Sequence, residues 1–414
     1  MKKYIIIAAA AIVALGSCAK ENAIESPANK ADGLVFTATL EQSIYTKTTL
    51  TSDKKVNWES TDKISINGIT YTATPKPDAT KADFTKDSGG DPTATFKAYY
   101  PAGIWNGTAG TLPATQTYAA GKISNLPMYA ESSTTSLNFK NLCAVLAITV
   151  PGTQLSSVSN IEVSSNCQMN GDFTATAEGV LAFDSKTLEA ADKKVTLSVS
   201  PAKSISSSET FYIAIPAGTH CLTIKVSDGT VTKAMATKVA AGVSVSRNTI
   251  YPITFAENTV QLWAGGPYFA TMNLGETEVT GSECYYEWTA TGSGDAAATV
   301  WGDAWRVPTE EQMNELFNVA GEDGSSYISC EYTDSPGVYG FLFKGITSGY
   351  TDNSLFLPAE NDKADLGSAN YLSGSVEDSE CISLYLSYIL GSLSSEKSAQ
   401  DMEDYEGLVR PVLK

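Results

Sequence analysis

The sequence predicts a mainly β protein: two β-sandwich units over residues 34–150 and 151–256, followed by an α+β domain over residues 257–414. Three observations carry that prediction. Short apolar runs, several with a two-residue period, recur from Leu34 to Phe255, and no long amphipathic helix interrupts them. The clearest helix start in the chain lies beyond that point, at Thr309. The charge balance breaks in between: residues 1–256 hold 20 Asp+Glu against 22 Lys+Arg, and residues 257–414 hold 26 against 6, a step that marks a domain boundary.

Taken in order, Leu34, Phe36, Ala38 and Leu40 fall on one face of a first strand. Asp62–Ile66 and Ile69–Thr72 flank Asn67-Gly68, a dipeptide that tolerates the positive φ of a two-residue hairpin turn. Leu142–Val150 is almost continuously apolar and β-branched, as in a strand covered on both faces. Pro151-Gly152 ends it and sets the split between the sandwiches. Strands follow at Asn160–Ser164, Val195–Val199, Thr210–Ile215 and Leu222–Ser227. Asp228-Gly229 turns the chain into Thr230–Met235, and Ile250–Phe255 closes the set. In the last domain, Thr309 and Gln312 have the spacing of a capping box, ahead of an apolar stripe of Met313, Leu316 and Phe317. Gly340–Phe343 and Cys381–Tyr388 read as strands between Gly/Ser/Asp-rich loops, and Trp263, Trp288, Trp301 and Trp305 all lie in this domain.

Met1-Lys2-Lys3 followed by apolar Tyr4–Leu15 reads as a signal peptide, residues 1–17. A bilayer-spanning helix needs about 20 apolar residues, more than are present. The run Leu15-Gly16-Ser17-Cys18 resembles the bacterial lipobox, which implies cleavage before Cys18 and acylation of its thiol. Each buried acyl methylene contributes roughly 0.8 kcal/mol to membrane anchoring. Residues 18–33 are polar, contain Pro27 and have no apolar period, as expected of a solvated tether. The acidic excess of the last domain repels nucleic acid and anionic membrane surfaces, which excludes both as its partners and leaves neutral glycans, basic proteins and cations. Beyond Cys18 there are six cysteines, three on each side of the charge boundary, so neither half can pair them all internally. Cys143 sits inside an apolar run and is expected to be a buried free thiol. No C-x-x-C or His-rich spacing points to zinc.

Segments in residues 34–256 resemble the fimbrillin superfamily of Bacteroidetes surface lipoproteins. They are Val56-Asn57-Trp58 with Asp62-Lys63-Ile64, Ala98-Tyr99-Tyr100-Pro101, Leu112–Tyr118, Pro127-Met128-Tyr129-Ala130, Phe139–Leu146, and Arg247-Asn248 with Ile250-Tyr251-Pro252. The resemblance implies a pair of transthyretin-like β-sandwiches. Residues 260–414 are similar to a different family, the C-type-lectin-like Fibrobacter paralogous domains. The residues that carry this are Leu262-Trp263-Ala264, Met272-Asn273-Leu274, Trp305–Glu310, Tyr371–Ser375 and Val409-Arg410-Pro411-Val412. These motifs read as structural, with Arg306 and Arg410 expected to pair with acids such as Glu311 or Glu315. The formylglycine-generating enzymes share that fold, but no matching cysteine pair is present.

Catalytic chemistry finds little support. His220 is the only histidine, so a Ser-His-Asp or Cys-His arrangement would have to use it. It stands at a strand start beside Cys221, and a turn or strand-edge role is expected. Gly89-Gly90 and Gly265-Gly266 lack phosphate-loop spacing. No enzymatic activity and no cofactor are expected. Asp352-Asn353, and Glu360-Asn361-Asp362 with Asp365, offer oxygen ligands of the kind Ca²⁺ takes, without EF-hand spacing, and read first as solvated loops. Tyr350, Asp352, Asn353, Glu360, Asp362 and Tyr371 are the candidate binding residues of the last domain; Phe356 and Tyr385 could also stack on sugars, although core packing is the first reading for most of these rings.

The fimbrillin resemblance implies assembly by donor-strand complementation, in which a protease removes the first strand and a strand of another subunit fills the groove. Leu34–Leu40 would be that strand and Lys47 the processing site. Related chains often carry Thr-Arg-Thr where this one has Thr46-Lys47-Thr48, and no arginine precedes Arg247; this departure argues against Arg-specific cutting, while Lys47 could still serve a trypsin-like enzyme. The lectin-like resemblance places Val409–Leu413 inside the last domain's sheet, which fits accepting a strand but not donating one. The expected role is a fimbrial tip subunit that mediates cell adhesion, lipid-anchored at the outer membrane. Its partners would be other fimbrial subunits and a host or bacterial glycan or protein. The alternatives are an anchor subunit, a purely structural fibre cap, and a non-polymerising glycan-binding lipoprotein that keeps Cys18.

Overall fold

Phe36, Ala38 and Leu40 face inward from the first strand and are all buried, whereas Leu34, expected on the same face, lies ahead of the strand and is 36% exposed. The architecture that receives them comes from a computed structural model. It describes residues 33–41, 57–107, 109–120, 123, 126–287, 295–317, 327–334, 337–360, 364, 366–377, 380–389, 392–401 and 406–414. Cys18, Lys47, Trp288, Asp362 and Asp365 lie outside the described residues, as do the signal segment and nearly all of the tether.

The first nine strands are β1 (Phe36–Leu40), β2 (Lys63–Ile66), β3 (Ile69–Pro75), β4 (Lys81–Lys86), β5 (Phe96–Tyr100), β6 (Gly110–Leu112), β7 (Thr115–Thr117), β8 (Met128–Ser132) and β9 (Ser136–Asn141). Seven of them close a barrel in the order β1-β4-β3-β2-β5-β8-β9. A sandwich was expected here; the sheet closes because β1 pairs on both edges, antiparallel to β4 and parallel to β9. Closure removes the open edges that an isolated sheet would present. At the β2–β3 hairpin, Asn67 (φ 47°) and Gly68 (φ 86°) are both left-handed, as the sequence predicts for that turn.

The second set comprises β10 (Cys143–Pro151), β11 (Ser157–Ser164), β12 (Gly171–Ala175), β13 (Leu181–Phe183), β14 (Lys194–Ser204), β15 (Ser208–Pro216), β16 (Gly218–His220), β17 (Thr223–Ser227), β18 (Thr232–Ala236), β19 (Val243–Val245) and β20 (Ile250–Thr254). Sheet β15-β10-β20 packs on sheet β18-β17-β11-β14-β7 around Leu146, Ile148, Ile161, Leu197, Phe211 and Ile224. As expected, β10 is covered on both faces. Ala144, Leu146 and Ile148 enter that core, while Cys143, Val145 and Ala147 enter a second one with Tyr99 and Phe173. The expected split at Pro151 needs correction, because β10, which ends there, already belongs to the second set. The β6 and β7 strands also leave the barrel, pairing with β12 and β14. From β7 the Gln116 amide crosses to the opposite sheet, its Nε2 donating to Ala214 O (2.7 Å) and its Oε1 accepting from Ala214 N (2.9 Å).

The last module holds β21 (Thr259–Val260), β22 (Phe269–Ala270), β23 (Tyr286–Glu287), β24 (Trp305–Arg306), β25 (Ile328–Thr333), β26 (Gly340–Gly345), β27 (Ser354–Pro358), β28 (Leu366–Glu377), β29 (Glu380–Ile389), β30 (Ser392–Asp401), β31 (Glu406–Gly407) and β32 (Val412–Leu413), with helices α1 (Ala296–Trp301) and α2 (Glu310–Phe317). The capping box forms: Thr309 N donates to Gln312 Oε1 (3.1 Å) and Gln312 N to Thr309 Oγ1 (3.3 Å). Met313 and Leu316 then bury against Phe341, Leu357 and Leu384. The β32 strand is paired on both sides, by β22 and β24.

This module is joined firmly to the second set. Trp305 Nε1 donates to Thr237 O (2.9 Å), and the Lys238 ammonium sits 3.8 Å above the Trp301 ring centroid. Burial, with the Arg410 charge adding to it, pushes the Lys238 ammonium down to about 8.

Candidate functional site

The two places where functional residues are expected are the position of β1 and the surface of the last module. At the first, β1 lays Phe36 edge-on against Tyr71 (5.2 Å between centroids) and Phe96 (4.9 Å). Its backbone pairs with β4 through Phe36↔Phe84 and Ala38↔Ala82, and with β9 through Ala38↔Leu137 and Leu40↔Phe139. Immediately after β1, Glu41 N donates to Phe139 O (3.0 Å).

The Glu41 carboxylate is then gripped from three directions. Arg247 reaches it with both terminal nitrogens, Nη1 to Oε2 at 2.6 Å and Nη2 to Oε1 at 3.1 Å. Lys140 Nζ stands 3.4 Å from Oε1, and the Asn141 backbone N–H donates to Oε2 (3.2 Å). Burial raises the Glu41 carboxyl, but Arg247, Lys140 and the Asn141 amide outweigh it and hold the group below its ordinary value. The grip joins two bodies of the fold, since Glu41 and Lys140 belong to the barrel and Arg247 precedes β20. Arg247 Nη1 also donates to Asn141 O (3.1 Å), and Asn248, left-handed at φ 56°, accepts from Asn141 Nδ2 (2.5 Å). Gly179, in the β12–β13 turn, lies over this cluster at φ 82°. A Cβ there would come within 2.7 Å of Lys140 Cβ and 3.2 Å of Arg247 Cζ.

None of these four charged or covering residues was singled out individually by sequence reasoning. Lys140 and Arg247 stood inside segments that carry the fimbrillin resemblance, and Arg247 is the sole arginine before residue 257. That scarcity was the available signal. Glu41 carried none beyond its place next to the first strand.

The second place behaves differently. Tyr371 is fully buried and its ring is part of the core, so it corrects the expectation of a surface binding residue. Its hydroxyl accepts from Asn273 Nδ2 (3.3 Å) and faces Pro358 O (3.4 Å). Arg410 is also fully buried and bonds Tyr371. Its Nη1 donates to Ala270 O (3.2 Å) and its Nη2 to Phe356 O (2.8 Å). The expected carboxylate partner is replaced by backbone carbonyls and a phenol, and burial lowers the guanidinium from its ordinary value. Arg306 donates to Val307 O (3.3 Å), with Asp295 the acid that acts on its charge in place of Glu311 or Glu315.

Asn353 is tied into the turn before β27, donating through Nδ2 to Gln261 O (2.8 Å), and Tyr350 in the same turn is half-buried. Asp352 is exposed. Glu360 follows β27 at its other end, where burial raises its carboxyl and the Asn370 amide partly offsets the rise. Asp352 and Glu360 are thus separated by the length of a strand, on the order of 15 Å at about 3.3 Å per residue, and do not converge on one ligand. Asp362 lies outside the described residues.

His220 is buried in β16. Its Nε2 faces Pro216 O (3.1 Å) and its Nδ1 faces Ser165 Oγ (2.9 Å). Only a protonated Nε2 can donate to the carbonyl. Burial lowers the ring's pKa, with the Pro216 contact opposing it. Cys143 is a buried free thiol as expected, pushed up to about 12 by burial.

No family model matches the sequence, and no curated protein matches it. Among solved structures, the chain is similar to a crystal structure of a candidate cell adhesion protein from Bacteroides ovatus. The two are 16% identical, with 53% of this chain and 91% of that chain covered and a TM-score of 0.32. It is also similar to a candidate cell adhesion protein from Bacteroides thetaiotaomicron, 13% identical, with 54% and 92% covered and a TM-score of 0.24.

Proposed function

We propose that this chain is a fimbrial subunit that accepts a donor strand, and that it occupies the fibre tip and mediates cell adhesion through residues 257–414. The observation that carries the reading is β1. It is short, supplies three inward apolar side chains, and is hydrogen-bonded along both edges to β4 and β9. Its loss would leave an apolar slot with two unpaired strand edges, a surface that takes up another extended chain. Cutting after Lys47 would release β1 together with Glu41. Among the described residues β32 is engaged on both sides within its own sheet and is not itself free to be donated. Acylation at Cys18 and residence at the outer-membrane surface belong to the same proposal and precede the cut. The acidic excess of the last module favours a neutral glycan or a basic protein as the adhesion ligand.

The test is the N-terminus of the protein in fibres sheared from its native cells. A start at Thr48 is expected. An acylated Cys18 start, with the protein confined to the membrane fraction, would sink the proposal in favour of an anchor or a solitary surface lipoprotein.

A further inference from the structure

We propose that the strand replacing β1 must carry a carboxylate, and that Arg247 and Lys140 select for it. This rests on the strand-acceptor reading above and specifies the partner. Removing β1 with Glu41 leaves two cations that now share one carboxylate. Arg247 is 28% exposed in its side chain and Lys140 35%, and Gly179 closes over both. With β1 in place both cations are only partly hydrated, so losing their shared counter-charge is unfavourable, though modestly at a seam this exposed. The Asn141 N–H that bonds Glu41 also loses its partner. A strand that fills only the apolar slot repairs none of this.

The geometry of β1 fixes the partner's pattern. Phe36, Ala38 and Leu40 occupy positions i, i+2 and i+4 on the buried face, and the acid follows at i+5, where the chain passes the seam between the barrel and the second set of sheets. The partner strand therefore runs parallel to β9, as β1 does. It presents three apolar side chains at alternate positions and ends in Asp, Glu or a free terminal carboxylate. A strand with the apolar pattern alone, or with Lys or Arg at i+5, is rejected. Such a charge contributes to partner choice more than to overall affinity.

The experiment uses the full chain with a unique protease site placed directly after Lys47, cut and then challenged with labelled peptides spanning residues 34–41. One peptide carries Glu at position 41 and the other Gln, and both are amidated so that no terminal carboxylate substitutes. The Glu peptide is expected to bind about tenfold more tightly at pH 7 and low salt, and the difference should vanish in R247Q. Equal binding of the two peptides would overturn the carboxylate requirement while leaving strand exchange intact. Failure of both peptides to enter the cut protein would overturn the strand-acceptor reading, and this inference with it. The peptide pair on the unsubstituted barrel decides the matter even where R247Q folds poorly.

Discussion

The seam beside β1 and the interior of the last module each hold an arginine, and they hold it in opposite ways. Arg247 is partly exposed and meets a carboxylate through two charged hydrogen bonds, with Lys140 close by. Arg410 is fully buried, and among the described residues its terminal nitrogens meet carbonyls while its Nε has no partner. A charge pair at a half-wet seam can be opened and remade at modest cost, because water takes up part of what each ion loses when they separate. A guanidinium caged by carbonyls has no such exit, since every lost bond strands a buried group. The first arrangement suits a joint and the second a fixed scaffold.

The sharpest way to break this contrast is Arg410→Met. Removing the caged cation takes the Arg410 donor from Ala270 O and Phe356 O and opens the Tyr371 network, so a loss of about 3–5 kcal/mol is expected, at roughly 1–3 kcal/mol for each stranded group, read by urea denaturation of the full chain. A stability within about 1 kcal/mol of the parent would mean the cage is dispensable. Next, Phe36→Ala empties the aromatic contact with Tyr71 and Phe96 and is expected to cost about 3 kcal/mol. Hydrogen exchange should show the loss confined to the strands that flank β1. Uniform loosening across the last module would argue against a separable β1.

Glu41→Gln is milder, about 1 kcal/mol once solvent screening is allowed for, but it carries a pH signature. The carboxyl lies below its ordinary value of 4.5 in the folded chain, so the unfolded chain binds the proton first as acid is added. The clamp's contribution is therefore complete above about pH 4.5 and is lost as the pH falls through the lower folded value. Denaturation at pH 7 and pH 3 should show a smaller difference in E41Q than in the parent. The smallest expected effect is Thr309→Ala, about 1 kcal/mol or less from the lost cap, seen as faster exchange in the first turn of α2.

What the sequence made legible follows the same division. Asn67-Gly68 and the Thr309–Gln312 box are local devices, complete within two to four residues, and both formed as expected. The double coverage of β10 was legible because an unbroken apolar run has only one comfortable environment. The clamp was not, because Glu41 and Arg247 stand 206 residues apart and no local pattern joins them. Nor were β6 and β7, whose three residues each hold too little periodicity to reveal a partner sheet. The acid expected beside Arg410 failed for a related reason. Composition counts the carboxylates in a domain, but it does not say which of them lie at the depth of a buried guanidinium.

The pairing of β1 along both edges has a mechanical consequence. A strand clamped between two neighbours and pulled along its own axis must slide, so its backbone hydrogen bonds to β4 and β9 share the load and yield together. The same bonds pulled sideways would break in succession, each at a small force. A guest strand seated where β1 sits would inherit this geometry. Tension on that one joint would meet the strong direction, although the joint is held by nothing covalent.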